Sequence, residues 1–230
     1  MIDVSEGHYQ SEGFTLDIDL HIPASEFCAV LGPSGAGKST FLSLISGFEN
    51  LQGGSIKLNG QAAAPSPAAR PVSMVFQDHN VFAHLNVWAN VALGIAPSLV
   101  LTEAQKHQVH SALERVGIAG LALRKPGEIS GGERQRIALA RVLVRKQPIL
   151  LLDEPFAALD PGLRKDMLRL VMDLQRQHGL TVLMVTHQPD DALFATEKII
   201  FVSKGKVHKP VLRTAFFSSQ DADIRRYLGI

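Results

Sequence analysis

The sequence predicts an α/β fold that is built around a buried parallel sheet. Three short apolar runs, at residues 27–31 (FCAVL), 149–152 (ILLL) and 182–185 (VLMV), have the length and continuous hydrophobicity of strands covered on both faces. Each run is followed by polar or glycine-rich residues, at the edge where open α/β sheets place ligands. The chain has 230 residues, of which 46% are hydrophobic and 20% charged, so one compact domain with a packed core is expected.

The composition excludes several classes of function. The net charge of +1 gives no broad basic field, so no nucleic-acid partner is expected. Cys28 is the single cysteine, which excludes an internal disulfide and fits a buried strand residue better than a nucleophile. No segment reaches the ~20 apolar residues that span a bilayer, and the N-terminus lacks a secretory signal. We expect a soluble, cytoplasmic protein that meets a membrane only through a partner.

The first strand leads into a glycine-rich loop. Residues 32–39, GPSGAGKS, match G-x-x-x-x-G-K-[ST], and the run FLSLI that follows has helical spacing. Glycines let successive N–H groups point inward, and the helix adds the positive end of its dipole, so the loop is expected to bind phosphate. Lys38 is placed to reach the β- and γ-phosphates, and Ser39 offers a hydroxyl to Mg²⁺. The alternative is a glycine-rich turn with a chance lysine, which the flanking strand and helix disfavour.

The second strand delivers two carboxylates. Residues 148–160 read PILLLDEPFAALD, with Asp153 and Glu154 at the carboxyl end of the apolar run. Asp153 suits Mg²⁺, directly or through water, and Glu154 suits a general base for an attacking water. The alternative is a strand that simply ends in an acidic turn.

A second helix start follows the motif ISGGERQR at residues 129–136. Ser130 and two glycines precede a helical run, which predicts a second anion site. One nucleotide does not need two such sites in one chain, whereas a paired chain does. The alternative is an ordinary capping box between Ser130 and Glu133, and both interpretations can hold together.

The third strand ends in Thr186 and His187. His187 is expected at the sheet edge, beside Glu154 and the γ-phosphate. The alternative is a surface or structural histidine, which is the commoner role of a lone histidine.

Taken in order, these motifs resemble those of the ATP-binding cassette (ABC) ATPases, the nucleotide-binding subunits of ABC transporters. The series is GPSGAGKS, Gln77 in MVFQDHNVF, ISGGERQR, ILLLDEP, AALD and His187, and it spans nearly the whole chain. The resemblance implies a P-loop NTPase core with a parallel sheet, an N-terminal antiparallel β-subdomain and a helical subdomain. It implies one domain, in which residues 1–76 and 146–230 form the nucleotide-binding core and residues 77–145 the helical subdomain.

The resemblance also implies roles for individual residues. Gln77 is expected to contact Mg²⁺ together with Ser39 and Asp153, and to act in catalysis with Glu154 and His187. Asp160 is expected at a dimer seam, where two copies sandwich ATP. The residues expected to bind ATP in one copy are Gly32, Pro33, Ser34, Gly35, Ala36, Gly37, Lys38, Ser39 and Thr40, and those expected to reach the nucleotide of the other copy are Ser130, Gly131, Gly132 and Glu133.

Two positions depart from the usual family pattern. Glu133 stands where a glutamine is usual, and its charge is unfavourable near phosphate, so we expect it to cap its helix or to face away. The N-terminal aromatic on which the family stacks adenine is expected to be Tyr9, with His8 as the alternative.

A single cassette without membrane spans resembles the ATPases of bacterial importers. Residues 81–85 are then expected near the groove that receives a membrane subunit, with the aromatics Phe76, Phe82 and Trp88 as docking anchors or, for Trp88 at least, core. The stretches RPVSMVFQ, PGEISGGERQRIALARVLVRKQPILLLDEPFAALDPGLR and the final YLGI resemble most nearly the ATP-binding subunits of thiamine importers, and importers of polyamines or iron are alternatives. Expected partners are a second copy, transmembrane permease subunits and, indirectly, a periplasmic solute-binding protein, at the cytoplasmic face of the inner membrane. A non-transport ABC ATPase is a further alternative.

Overall fold

A computed structural model describes residues 1–11, 13–76 and 81–230. In this part of the chain, eleven strands form one mixed sheet in the order β5-β4-β1-β2-β10-β9-β3-β8-β7-β6, with β11 paired to β9. The strands are β1 Ile2–Ser11, β2 Phe14–Ile22, β3 Phe27–Leu31, β4 Gly53–Leu58, β5 Gln61–Ala62, β6 Val72–Val75, β7 Ile149–Asp153, β8 Thr181–Val185, β9 Lys198–Ser203, β10 Lys206–Val207 and β11 Val211–Leu212. The helices are α1 Lys38–Ser46, α2 Val87–Ala92, α3 Glu103–Arg115, α4 Gly131–Arg145, α5 Pro161–His178, α6 Pro189–Ala195, α7 Arg213–Phe217 and α8 Ala222–Leu228.

The centre of the sheet is parallel. Strands β9, β3, β8, β7 and β6 pair side by side in the same direction. Every residue of β3 and β8 is buried, as is expected of strands with helices on both faces. The carboxyl ends of these strands therefore meet along one edge, where the loops after β3, β7 and β8 lie together. Cys28 lies within β3 as predicted, with no exposed surface.

The N-terminal part is antiparallel. Strands β1 and β2 form a hairpin, and β1 also pairs with β4. From Thr15 onwards, strand β2 alternates between exposed and buried positions, so one face packs on the core and the other meets solvent. Strand β1 alternates less regularly, because its pairing with β2 shifts register between Val4 and Gly7.

Helices α2, α3 and α4 pack against one another. The core beneath them includes Val91, Val109, Leu113 and Ile137, and it continues onto one face of the parallel strands. Helix α1 packs on β6, β7 and β8, within a second cluster shared with the N-terminal strands. Among the described residues, no helix is both long and apolar enough to cross a bilayer.

The predicted fold class is confirmed: a parallel core, an antiparallel N-terminal sheet and a group of packed helices are all present. The predicted division at residues 76 and 77 falls at the edge of a described range, and the two-part domain boundaries stay a prediction.

Candidate nucleotide-binding and catalytic site

The loop at residues 32–37 connects β3 to α1, and Lys38 begins the helix. The Lys38 ammonium donates to the carbonyl oxygens of Gly32 and Pro33, both at 2.8 Å. The lysine therefore closes the loop around itself and fixes its curvature. Lys38 as a whole residue is only 5% exposed.

Two glycines of the loop have positive φ and very close neighbours, which are a side-chain ring at Gly37 and backbone at Gly32. Gly37 caps α1 with φ 102°, and a Cβ there would lie 2.5 Å from Phe14 Cζ. Gly32 has φ 154°, and a Cβ there would lie 2.1 Å from the carbonyl oxygen of Val202. Real Cβ atoms do not approach so closely, so a larger residue at Gly32 would push the loop away from β9, and one at Gly37 would displace the Phe14 ring or the loop.

A cavity of about 310 Å³ opens over the loop. The loop bounds it on one side. The ring of Phe14 bounds it on another side, and Glu154 and His187, from the segments after β7 and β8, complete the wall. Its lining residues are Phe14, Ser34, Gly35, Gly37, Lys38, Ser39, Thr40, Glu154 and His187. The structure thus brings the predicted phosphate loop, general base and histidine to one cavity.

The charge of Lys38 is poorly solvated. Burial lowers the pKa of its ammonium, and the nearby carboxylates of Glu154 and Asp153 act in the opposite direction. Both hydrogen-bond acceptors given above are neutral carbonyls. An anion in the cavity would supply the charged partner that these carbonyls do not, so the loop fits phosphate.

Ser39 and Asp153 form an oxygen pair. The Ser39 hydroxyl donates to Asp153 Oδ1 over 3.0 Å. Burial raises the pKa of Asp153, and the Ser39 hydrogen bond opposes this. No group of three or more His, Cys, Asp or Glu suited to a metal ion occurs among the described residues. Two oxygens beside a phosphate site nevertheless fit Mg²⁺, which takes one or two protein ligands and completes its shell with phosphate and water.

Glu154 and His187 are in direct contact. His187 Nε2 lies 2.6 Å from Glu154 Oε1. Glu154 adopts φ 48°, which is unusual for a residue with a Cβ, and its N–H donates to the carbonyl of Val185 over 3.1 Å. The backbone bond ties the end of β7 to the end of β8. The register of the two strands therefore sets how far apart the two side chains stand.

Tyr9 does not reach the cavity. It is 8% exposed and packs in the core beneath the hairpin, with its ring 6.5 Å from that of Phe14. His8, the alternative, contacts Asp17 across the hairpin over 2.7 Å. Phe14 instead lines the cavity. The sequence signal that identifies Phe14 is the alternation of apolar residues along β2, which places it on the same face as Leu16 next to the loop.

The ISGGERQR motif at residues 129–136, called the signature motif below, forms a capping box at the start of α4. Ser130 N–H and Oγ–H donate to Glu133 Oε2 over 2.7 and 2.8 Å, and Glu133 N–H donates to Ser130 Oγ. These hydrogen bonds lower the pKa of Glu133. The predicted capping role of Glu133 is thereby confirmed. Ser130, Gly131, Gly132 and Glu133 are absent from the lining of the cavity over the phosphate loop.

Asp160 immediately precedes α5, and its Oδ1 accepts from the N–H groups of Gly162 and Leu163 over 3.1 and 3.0 Å. Its side chain therefore caps a helix, and its place at a dimer seam stays a prediction. Gln77 lies outside the described residues.

A family model described as "ABC transporter" matches residues 15–157 of the chain. The chain belongs to the ABC transporter family. The match includes the phosphate loop, the ISGGERQR signature motif and the two carboxylates at the end of β7, and it confirms the resemblance of these motifs to ABC ATPases.

Relatives of this ABC chain cover nearly its whole length. The thiamine import ATP-binding protein ThiQ of Mesorhizobium japonicum is 51% identical over 216 residues, 93% of this chain and 85% of the relative. Among solved structures, cbiO1 from Clostridium perfringens, part of the ABC transporter complex cbiONQ, has a TM-score of 0.85 at 28% identity, covering 99% of this chain and 94% of its own. The ATP-binding cassette MJ0796, a dimer in a post-hydrolysis state bound to ADP and Pi, has a TM-score of 0.78 at 27% identity, covering 93% and 99%.

Proposed function

We propose that this chain is the ATP-binding and ATP-hydrolysing subunit of a bacterial importer that takes up thiamine or thiamine phosphates through a membrane permease. The assignment of thiamine as the solute is supported by the 51% identity to a thiamine import ATP-binding protein over 93% of the chain. The alternative is an importer of another small solute, such as a polyamine or iron. A non-transport ABC ATPase is less favoured, because the relatives named above include an import protein and part of a transporter complex.

ATP and Mg²⁺ are the proposed cofactors. The loop N–H groups and Lys38 would hold the phosphates, and Ser39 and Asp153 would hold the cation, with Gln77 as a third proposed ligand. When bound, Mg²⁺ neutralises charge that develops on the phosphates. The ring of Phe14 closes the other side of the cavity and is the proposed contact for adenine.

Glu154 and His187 are the proposed catalytic pair. A carboxylate only accepts hydrogen bonds, so in the contact with Glu154 the His187 Nε2 carries the proton. The histidine thus holds one carboxylate oxygen, and the other oxygen is left to accept a proton from a water over the phosphate loop. The strained backbone at Glu154 keeps that carboxylate at the mouth of the cavity.

A second copy is the proposed partner at the nucleotide. The signature motif lies away from the cavity of its own chain, and its first glycine, Gly131, is exposed with open space around it. Ser130 and the N–H groups that follow it would complete the phosphate site of the opposing copy. The dimeric state of the relative MJ0796 supports this arrangement.

Permease subunits are proposed to dock beside the segment that begins at residue 81. Phe82 is 47% exposed and Phe48 is 56% exposed, and the Phe48 ring makes an edge contact with Phe76 at 5.6 Å. The buried amide of Asn90 braces this surface, because it accepts from Phe82 N–H and donates to the carbonyls of Phe82 and Leu85. Trp88 packs partly buried against the core, as expected. Such docking would hold the chain at the cytoplasmic face of the inner membrane, with a periplasmic solute-binding protein on the other side.

The solute is tested by uptake in a deletion strain. Radiolabelled thiamine uptake should be lost on deletion, restored by the wild-type gene and not restored by Lys38→Ala, whereas Lys57→Ala, an exposed control, should restore it. Uptake of a polyamine and of iron is measured in the same strains. Normal thiamine uptake together with loss of another solute would overturn the thiamine assignment and leave the ATPase assignment standing.

A further inference from the structure

The segment that carries His187 is tied together by one hydroxyl. Thr186 Oγ1 accepts from Gln188 N–H over 3.0 Å, so the residues on either side of His187 are joined by a side-chain bridge. Such a bridge fixes the backbone bend from which the imidazole projects. Thr186 itself is buried, with 4% of its surface exposed.

The hydroxyl is in turn held by Asp191. Thr186 Oγ1 donates to Asp191 Oδ2 over 2.9 Å, and Asp191 N–H donates to the carbonyl of Gln188 over 3.1 Å. A hydroxyl has a single proton, so donation to Asp191 leaves its oxygen free to accept from Gln188. The carboxylate therefore sets the direction of the hydrogen bond that closes the bend.

Asp191 faces the catalytic region and not bulk solvent. It is 8% exposed, and it lines a narrow cavity of about 80 Å³ together with Glu154, Thr186 and His187. Burial raises the pKa of Asp191, whereas the Thr186 hydrogen bond and the charge of Arg164 lower it. Arg164 also donates to the carbonyls of Ala157 and Leu159, which belong to the turn after Glu154.

We propose that Asp191 is a positioning residue for catalysis, which acts through the Thr186 hydroxyl to hold His187 against Glu154. Asp191 touches neither substrate nor reacting atoms in this role. The proposal rests on the ATPase function proposed above and extends it to Asp191, which lies outside the sequence motifs, and to Thr186, to which the motifs assign no role.

The alternative is a purely structural role, in which Asp191 only stabilises the first turn of α6. Asp190 tests this directly, because it lies in the same turn, carries the same charge and is exposed. A helix-dipole role predicts similar effects for the two aspartates. A positioning role predicts an effect for Asp191 alone.

The experiment compares Asp191→Ala and Thr186→Val with Asp190→Ala, all in the full chain. The first two should lower kcat for Mg-ATP by about tenfold to hundredfold with little change in KM, because displacement of a catalytic group by about 1 Å costs up to about 10²-fold. The double variant should lose no more than either single variant, since both act through one hydrogen bond. Thr186→Ser and Asp191→Asn, which keep a hydroxyl donor and an acceptor, should recover most of kcat.

A second readout does not depend on turnover. The imidazole resonances of His187, recorded by NMR without nucleotide, should shift or broaden in Thr186→Val and stay unchanged in Asp190→Ala. Wild-type kcat and an unshifted His187 signal in Thr186→Val would overturn the proposal, even if Asp191→Ala fails to fold. Absence of ATPase activity from the wild-type chain would instead count against the proposed function.

Discussion

His187 Nε2 stands 2.6 Å from Glu154 Oε1, and the two residues are placed by neighbouring parallel strands. Asp153 pairs with Val185 in the sheet, so the residues that follow β7 and β8 emerge side by side. The left-handed backbone at Glu154 turns its side chain towards the histidine and costs of order 1–3 kcal/mol, which the surrounding sheet must offset. Strand register and local strain together make this contact.

Glu154→Gln should separate binding from turnover. The amide keeps the size of the side chain and a hydrogen-bonding group towards His187, but it cannot accept the proton of water. We expect ATP affinity near that of the wild type, turnover lower by about 10²- to 10⁴-fold and a dimer that persists in ATP. Equilibrium dialysis, phosphate release and size-exclusion chromatography measure the three quantities. Near-normal turnover would remove Glu154 from the role of base, and Glu103→Gln, at an exposed glutamate, serves as the control.

Sequence motifs predict most of the site, because its functional side chains lie at the carboxyl ends of strands. Parallel pairing alone brings residues at or just after the carboxyl ends of three buried strands to one edge. These residues are Lys38, Ser39, Asp153, Glu154 and His187. The number of residues that separate a side chain from the phosphate loop in the sequence predicts less well whether that side chain reaches the site.

Tyr9 as the adenine contact stays a prediction, although its ring lies outside the cavity and the ring of Phe14 lines it. Tyr9 lies on a strand whose register shifts between Val4 and Gly7, which decides which face its ring occupies. Asp191 escaped sequence analysis because its role depends on burial and on a hydrogen bond to Thr186 that the pattern of residues does not reveal.

Phe14→Ala should weaken nucleotide binding. Stacking of a base on an aromatic ring contributes about 1–3 kcal/mol, so we expect the Kd for ATP to rise about 5- to 150-fold. Tyr9→Phe should leave the Kd unchanged, because the Tyr9 ring packs in the core beneath the hairpin. Fluorescent-nucleotide titration measures both. The reverse result would be that Tyr9→Phe or Tyr9→Leu weakens binding, whereas Phe14→Ala leaves it unchanged in correctly folded protein. This result would restore Tyr9 as the adenine contact.

Glu133→Gln should strengthen ATP-dependent dimerisation. In the wild type the Ser130 hydroxyl donates to the Glu133 carboxylate, which competes with a partner's phosphate for that donor and repels it. A neutral amide oxygen competes less and still caps the helix. Analytical ultracentrifugation in ATP, with Glu128→Gln as the matched control, should show a tighter dimer for Glu133→Gln alone. An equal or weaker dimer would contradict this account.

The same carboxylate makes stability depend on pH. The pKa of Glu133 is lowered in the folded chain by its hydrogen bonds to Ser130. A lowered folded-state pKa contributes stability that is present above the ordinary glutamate pKa and is lost as the pH falls through the lower value. We expect the difference in unfolding free energy between wild type and Glu133→Gln to shrink over that acidic range, as measured by urea denaturation. A difference that does not change with pH would exclude a role for the ionised carboxylate.

Cys28 should report global unfolding. The residue has no exposed surface, and burial raises the pKa of its thiol to about 12, so almost no reactive thiolate is present at neutral pH. We expect iodoacetamide to label the chain only when urea unfolds the sheet, in parallel with loss of the circular dichroism signal. Mass spectrometry measures the labelled fraction. Rapid labelling of the native protein would show that β3 opens locally.

Gly131→Ala tests whether a second copy completes the nucleotide site. A Cβ at Gly131 would meet nothing within 4 Å in its own chain, and helix α4 begins at this residue, so the variant should fold with an unchanged or slightly higher Tm. In a sandwich the added methyl group would stand between the helix N-terminus and the partner's phosphate.

Phosphate held by helix N–H groups requires close approach of the backbone. We therefore expect Gly131→Ala to lose ATP-dependent dimerisation and to lower ATPase activity by at least tenfold. The monomer should still bind ATP. Gly127→Ala is the matched control, since Gly127 is equally exposed, has equally open surroundings and lies four residues upstream. Full ATPase activity of Gly131→Ala, or equal losses in both variants, would mean that the signature motif does not contact nucleotide across a dimer.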